Sequence, residues 1–415
     1  MKKLIFVTSL FLSVALLFTA VSADQTANGS EQRGVVTEYL NETLYQNFEN
    51  PSQSAAPVSA DALAEIPASA ALLCEASTGK VIFEKNSAEK RPPASITKIM
   101  TMLLTVEAIE SGKISLNDTV TASEHACSMG GSQIWLEKGE TMVLSDILKS
   151  VAVGSANDAA VALAEHISGS EEAFAELMNK RAKELSMTDT HFVNASGLDT
   201  DGHISTAADV AKMACELLKH DIIKNYTTIW TDSVRNGKTQ LVNTNKLIRF
   251  YEGATGLKTG TTDKAGYCVA ASAKKDRTEL VAVILDGQSS DLRFSAAKAL
   301  LNYGFANYET ACPKLPDDSM LFVNVTGGKS KTAELCWDEP GKLLVEKGRG
   351  EDIKAEISIE QSVAAPVEKG RVLGKVRFTL DDKPLAEREL YAAEKVEKKT
   401  FGFSLCALAD RFFAL

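Results

Sequence analysis

The chain is 415 residues long, 45% hydrophobic and 24% charged, with a net charge of −10. That length holds two or three folded domains with ample core, and the composition excludes a disordered chain. An acidic balance without a basic stripe argues against nucleic acid as a partner.

Residues 1–23 have the pattern of a secretory signal. Lys2-Lys3 give the positive start, Leu4 to Phe18 the apolar core, and Val21-Ser22-Ala23 a small-residue cleavage site before Asp24. The alternative, a membrane-spanning helix, is disfavoured because the apolar run is short and polar residues follow at once. The mature protein is therefore expected outside the cytoplasmic membrane. Residues 24–60, rich in Ser, Ala, Gln, Asn and Pro, show no helical or strand period and read as a spacer.

Order begins near Ala70. Ala71–Glu75 and Val81–Glu84 flank a Ser-Thr-Gly-Lys turn and predict a hairpin. Pro92-Pro93 cannot continue a helix, and the apolar segment after them predicts one buried helix from near Ser95 to Gly112. Leu144–Val153 and Ala159–Ile167 predict two further helices stopped by Gly154 and Gly169. Between them, Ser155-Ala156-Asn157-Asp158 has good capping chemistry. Helical pattern also fills Glu171–Leu185 and Ala207–Leu218. Strands then return at Gly256–Gly260, Tyr267–Ala273 and Leu280–Leu285, followed by a helix over Leu292–Tyr303. Strands from both ends bracketing a helical middle predict one domain over residues 61–307: a mainly antiparallel sheet with helices on its faces.

From residue 313 to 393 helical periodicity disappears. Short runs at Met320–Val325, Leu343–Glu346, Ile353–Ile359 and Val372–Leu380 predict a small β-sandwich with no catalytic constellation. In the last stretch, Lys398 to Leu415, residues Phe401, Leu405, Leu408, Phe412 and Leu415 recur at intervals of 4, 3, 4 and 3. That is one helical stripe, aromatic-rich and flanked by Lys398, Lys399 and Arg411, which suits the plane of a membrane surface. The alternative is a helix docked on the protein itself. Seven cysteines are widely spread with no Cys-x-x-Cys, so zinc and dithiol-redox readings have no support. A pairing such as Cys312 with Cys336 is a guess.

Ser95 and Lys98 stand three apart, so one helical turn puts both on the same face. Ser95 also lies at the helix start, where the dipole favours developing negative charge. A serine hydroxyl needs a base, and a lysine can act as one when burial or a neighbouring cation lowers its pKa. Four other Ser-x-x-Lys pairs occur (Ser77/Lys80, Ser87/Lys90, Ser272/Lys275 and Ser295/Lys298), so the pair alone is a weak signal. Ser-x-Asn likewise occurs at Ser115/Asn117 as well as at Ser155/Asn157, whereas Lys258-Thr259-Gly260 is unique. The ordered trio Ser95-x-x-Lys98, Ser155-x-Asn157, Lys258-Thr-Gly is the combined signature of β-lactamases and penicillin-binding proteins.

The surroundings resemble the serine D-alanyl-D-alanine carboxypeptidases, the low-molecular-mass penicillin-binding proteins. The resemblance rests on Pro93–Thr101, Gly130–Glu140, Ser155–Ala160, Phe192–Leu198, Gly202–Ala207 and Gly256–Thr261. It implies an α/β (α+β) transpeptidase-like domain and a small β-sandwich. It also implies an enzyme on the outer face of the cytoplasmic membrane that trims peptidoglycan stem peptides and is acylated by β-lactams. On this resemblance Ser95 attacks the carbonyl between the last two D-alanines, Lys98 is its general base, and Ser155 passes a proton to the leaving amine. Asn157 orients Lys98 or holds the substrate amide, while Lys258 and Thr259 meet the terminal carboxylate. Backbone N–H groups of Ser95 and Thr261, beside Gly260, form an oxyanion hole of the kind worth about 3–4 kcal/mol per donor. No metal or organic cofactor is implied.

The rivals are a β-lactamase, a muropeptide endopeptidase, and a non-catalytic penicillin sensor or wall-binding module. A β-lactamase of this group needs a Glu-x-x-Leu-Asn deacylation element, but Glu176-Leu-Met-Asn179 has the wrong spacing and residues 186–197 offer no glutamate. No His-Glu-x-x-His or Gly-x-Ser-x-Gly occurs, and His203, in a loop that the resemblance puts near the site, reads as a structural hydrogen-bonding residue.

Overall fold

The computed structural model describes residues 63, 65–315, 319, 321–338 and 341–405. The signal segment, the spacer and the tail beyond Leu405 lie outside the described residues.

Strands β1 (Ala68–Glu75) and β2 (Val81–Lys85) form the expected hairpin, and β3 (Ala254–Thr262), β4 (Gly266–Lys275) and β5 (Thr278–Gly287) complete a five-stranded sheet in the order β2-β1-β5-β4-β3. Every pairing in it is antiparallel. The middle strand explains the layering. Successive side chains of a strand point to opposite faces, and here Val281, Val283 and Leu285 enter one buried cluster while Leu280, Ala282 and Ile284 enter another. An apolar run without polar alternation is thus what a strand covered on both faces requires.

On one face pack α1 (Lys98–Glu110), α2 (Leu144–Gly154), α3 (Asn157–Ser168), α4 (Glu171–Glu184) and α5 (Ala207–Leu218); on the other lies α6 (Ser290–Asn307). Every residue of α1 from Lys98 to Val106 is buried, as an all-round apolar helix demands. The α-helix starts at Lys98, and Ala94–Thr97 before it is a tighter 3₁₀ turn. Ala94 sits in the left-handed region (φ 49°), so the chain cannot run straight from the prolines into an α-helix.

The linker between α2 and α3 also differs from its sequence reading. Gly154 is the last helical residue, and Ser155 takes the left-handed joint (φ 60°, ψ 26°) where glycine is usual. The next helix begins at Asn157 on Ala156, without a side-chain cap, because Asn157 and Asp158 direct their side chains elsewhere.

Beyond α6, β6 (Tyr308–Ala311) pairs with β9 (Leu343–Glu346). The remaining strands, β7 (Phe322–Thr326), β8 (Thr332–Trp337), β10 (Lys354–Ile359), β11 (Ser362–Ala364), β12 (Val372–Leu380) and β13 (Lys383–Ala392), form a sheet in the order β10-β12-β13-β8-β7-β11. Its two halves share one core that includes Val323, Val325, Leu335, Val363, Val376, Phe378 and Leu390, a β-sandwich. Cys312 and Cys336 are free thiols, so the guessed pairing is not made. Residues 401–405 are helical and exposed. Among the described residues no helix is long and apolar enough to cross a membrane.

Candidate active site

The turn before α1 presents Ser95 half-buried, and Lys98, on the first turn of that helix, is completely buried. The Lys98 ammonium nitrogen lies 3.0 Å from Ser95 Oγ, 2.6 Å from Asn157 Oδ1 and 2.6 Å from the Ser196 carbonyl. One amine thus ties together three stretches far apart in sequence. Desolvation pushes the Lys98 pKa well below its ordinary value, and the Lys258 charge nearby adds to the effect, while Asp158 opposes it. A neutral lysine beside a serine hydroxyl can take its proton.

Asn157 is fixed on both sides: its Nδ2 donates to the Gly130 carbonyl at 2.7 Å, and its backbone N–H donates to Ser132 O at 2.7 Å. Its neighbour Asp158, fully buried, accepts backbone N–H bonds from Ile134 (3.1 Å), Leu136 (3.0 Å) and Ala159 (2.9 Å). The Gly130–Glu140 stretch is thereby held along the site's rim. Ser155 is buried two residues before Asn157.

Strand β3 runs past the serine. A Cβ on Gly260 would come within 3.0 Å of the Ser95 backbone nitrogen and 2.9 Å of the Pro93 carbonyl, so only glycine lets strand and turn approach this closely. Lys258, on the same strand, is completely buried and donates to Thr259 O at 2.9 Å. Burial lowers its pKa to about 7, and the Arg293 guanidinium adds to this. Thr259 donates to Thr244 Oγ1 at 2.7 Å, and exposed Thr261 bonds to the Gly260 carbonyl at 2.8 Å. The structure therefore joins Ser95, Lys98 and Asn157 by direct hydrogen bonds. It lays Gly260 against the serine and lines Lys258, Thr259 and Thr261 along the same strand.

Four participants escaped the sequence reading. Arg293 of α6 reaches Gly260 O (3.0 Å), Thr261 Oγ1 (2.9 Å) and Cys268 O (3.2 Å) through one nitrogen. A lone arginine in the helical stripe of Phe294, Ala297, Leu300 and Leu301 was the available signal. Asp158 was visible only as a cap candidate. The Ser196 carbonyl has no side-chain signature. Thr244, the partner of Thr259, lies in a loop without a motif.

Residues 54–289 match the family described as D-alanyl-D-alanine carboxypeptidase, and residues 308–398 match the family described as Penicillin-binding protein 5, C-terminal domain. The chain belongs to the D-alanyl-D-alanine carboxypeptidase family. Over 338 residues it is 46% identical to D-alanyl-D-alanine carboxypeptidase DacF of Bacillus subtilis, covering 80% of this chain and 87% of that one. It is 35% identical to DacC of Escherichia coli over 81% of this chain and 86% of that one. Among solved structures, penicillin binding protein 5 from Haemophilus influenzae superposes with a TM-score of 0.71 at 30% identity, covering 80% of this chain and 98% of that one. Penicillin-binding protein D2 from Listeria monocytogenes, solved with ampicillin bound, matches 58% of this chain and 98% of its own at 30% identity and a TM-score of 0.54.

Proposed function

We propose that this chain is a serine D-alanyl-D-alanine carboxypeptidase that removes the terminal D-alanine from peptidoglycan stem peptides through an acyl-Ser95 intermediate, and that β-lactams acylate the same serine. The observation that supports this most directly is the dry Lys98 amine, 3.0 Å from Ser95 Oγ and held by Asn157 and Ser196. Neutral Lys98 takes the Ser95 proton as Oγ attacks the carbonyl carbon between the two D-alanines. Backbone N–H groups of Ser95 and Thr261, beside Gly260, hold the oxyanion. Ser155 hands a proton to the departing D-alanine amine as the C–N bond breaks. Lys258 and Thr259 hold the free carboxylate, which is why a carboxypeptidase fits better than an endopeptidase. Asn157 keeps Lys98 aligned, and water then releases the acyl group.

A β-lactamase is the weaker reading. Glu176 is exposed on α4, and Asn179 is occupied with both backbone groups of Phe192. Glu171 accepts from Ala195 N–H (2.9 Å) and contacts His125 (2.7 Å), so both of its carboxylate oxygens are engaged.

The exported location and the membrane-surface tail belong to the same proposal. Phe401 and Leu405, both on the stripe, are exposed, which supports an apolar face able to meet lipid. The decisive experiment incubates the mature protein with a fluorescent penicillin and, separately, with diacetyl-Lys-D-Ala-D-Ala, comparing wild type with Ser95→Ala. Labelling and D-alanine release, both lost in the variant, are the expected result. Labelling without release would replace the enzyme reading by a sensor.

A further inference from the structure

Two pieces of backbone must stay in register for Lys98 to work: the turn that carries Ser95 and Lys98, and the 192–198 segment that offers the Ser196 carbonyl. His203 stands between them. Its Nε2 lies 2.7 Å from Thr97 Oγ1, and its Nδ1 lies 3.0 Å from the Val193 backbone nitrogen. Thr97 immediately precedes Lys98, and Val193 is three residues before Ser196.

The partners settle the tautomer. An N–H of the backbone can only donate, so Nδ1 must be the unprotonated acceptor. The ring proton then sits on Nε2 and is donated to Thr97 Oγ1. Both ring nitrogens are used, and the imidazole must be neutral to use them. The ring is 3% exposed and meets Phe192 edge-on at 5.8 Å. Burial lowers its pKa to about 4; His191 and Lys98 push the same way, and Asp199 opposes them.

We propose that His203 is a positioning residue for the reaction: by clamping Thr97 to Val193 it fixes the distance between Lys98 and the Ser196 carbonyl, and so keeps the amine dry and aimed at Ser95. A second tie runs in parallel, from Thr101 Oγ1 to the Ala195 carbonyl at 2.6 Å. Losing His203 therefore loosens the register without unlatching the segment. With the clamp gone, water reaches Lys98, its pKa rises towards the ordinary value, and less of it is neutral at a given pH.

The inference rests on the acyl-enzyme reading above, and three variants test it. His203→Gln keeps a donor where Nε2 was, so Thr97 retains its partner. His203→Asn keeps only an acceptor where Nδ1 was. Thr97→Val removes the hydroxyl at constant shape and leaves the histidine in place. The measurement is the second-order rate of acylation by a fluorescent penicillin from pH 5 to 10, with the melting temperature of each variant alongside. His203→Asn and Thr97→Val are expected to acylate about 10–100-fold more slowly, the scale of a misaligned reacting group. Their acidic limb is expected at higher pH, and His203→Gln, which keeps the Thr97 end and loses the Val193 end, is expected between them and the wild type. Wild-type rates with unmoved pH profiles in both slow-reacting candidates would overturn the positioning role. So would equal losses in all three variants that track melting temperature alone. If His203→Asn fails to fold, Thr97→Val decides by itself. Failure of the wild type to label at all overturns the acyl-enzyme reading and the role of His203 with it.

Discussion

Replacing Gly197 by alanine tests how tightly the site is built. Gly197 is left-handed (φ +84°), and a Cβ there would lie 1.9 Å from the Ala94 carbonyl oxygen and 2.9 Å from the Ser95 nitrogen. An L-residue in this region costs about 1–2 kcal/mol from backbone sterics. Relieving the overlap requires the Ala94–Ser95 turn or the Ser196–Gly197 segment to shift by more than ~1 Å, and forced repacking adds about 1–3 kcal/mol. The sum is about 2–5 kcal/mol. Gly169→Ala is the control, because Gly169 has the same left-handed backbone (φ +86°) and nothing within 4 Å of its Cβ position. Its loss is limited to the backbone cost, about 1–2 kcal/mol. Urea unfolding of both variants isolates the steric part as their difference. Acylation by a fluorescent penicillin is expected to fall at least about tenfold in Gly197→Ala alone, because Ser196 O and Ser95 flank the clash. Equal stabilities, or normal acylation by Gly197→Ala, would refute the close approach described here.

Other outcomes follow from the charges and the chain ends. For peptide hydrolysis, kcat/KM should rise with pH as Lys98 deprotonates below its ordinary range, then decline above about 7 as Lys258 loses the charge that attracts the carboxylate; a flat profile from pH 6 to 10 would contradict both assignments. His203, ordinarily at 6.5 and lowered to about 4 in the fold, is neutral in the native protein, so stability is complete above pH 6.5 and falls as pH drops towards 4. At about 1.4 kcal/mol per unit the loss is about 3 kcal/mol, which His203→Gln removes in unfolding measurements at pH 4 against pH 7. Benzylpenicillin should leave a long-lived penicilloyl-Ser95 visible by intact-protein mass spectrometry, and rapid turnover would favour the β-lactamase reading. Deleting Lys398 to Leu415 should move the protein from the membrane to the soluble fraction of lysed cells; unchanged fractionation would remove the anchor from the proposal.

Much of this architecture can be read from the residues, for physical reasons that also mark where reading stops. The strand Leu280–Leu285 and the helix after Lys98 are continuous apolar runs, because both are covered on all sides. Ser95, Lys98 and Lys258 stand out because their order along the chain is more specific than any one pair. The sequence misplaces the helix start by three residues, since nothing local announces that Ala94 turns left-handed. It also reads Asp158 as capping chemistry, the ordinary use of such a side chain, when the backbone N–H groups of Ile134 and Leu136 claim it instead. Strand β13 escapes because its middle, Glu387-Arg388-Glu389, is charged on both faces, while its buried residues, Leu390 and Ala392, lie at one end. The Ser196 carbonyl belongs to every residue type alike. Only the fold can select it.

The Lys98 ammonium draws its contacts from Ser95, Asn157 and Ser196, and so from a span of about a quarter of the chain. Lys98 holds all three groups only when that whole span has folded together. On the acyl-Ser95 reading proposed above, the molar ratio of covalent β-lactam label to protein in a purified sample reports the fraction of molecules in which that span has closed. During refolding, the onset of labelling would then date the closure of that span.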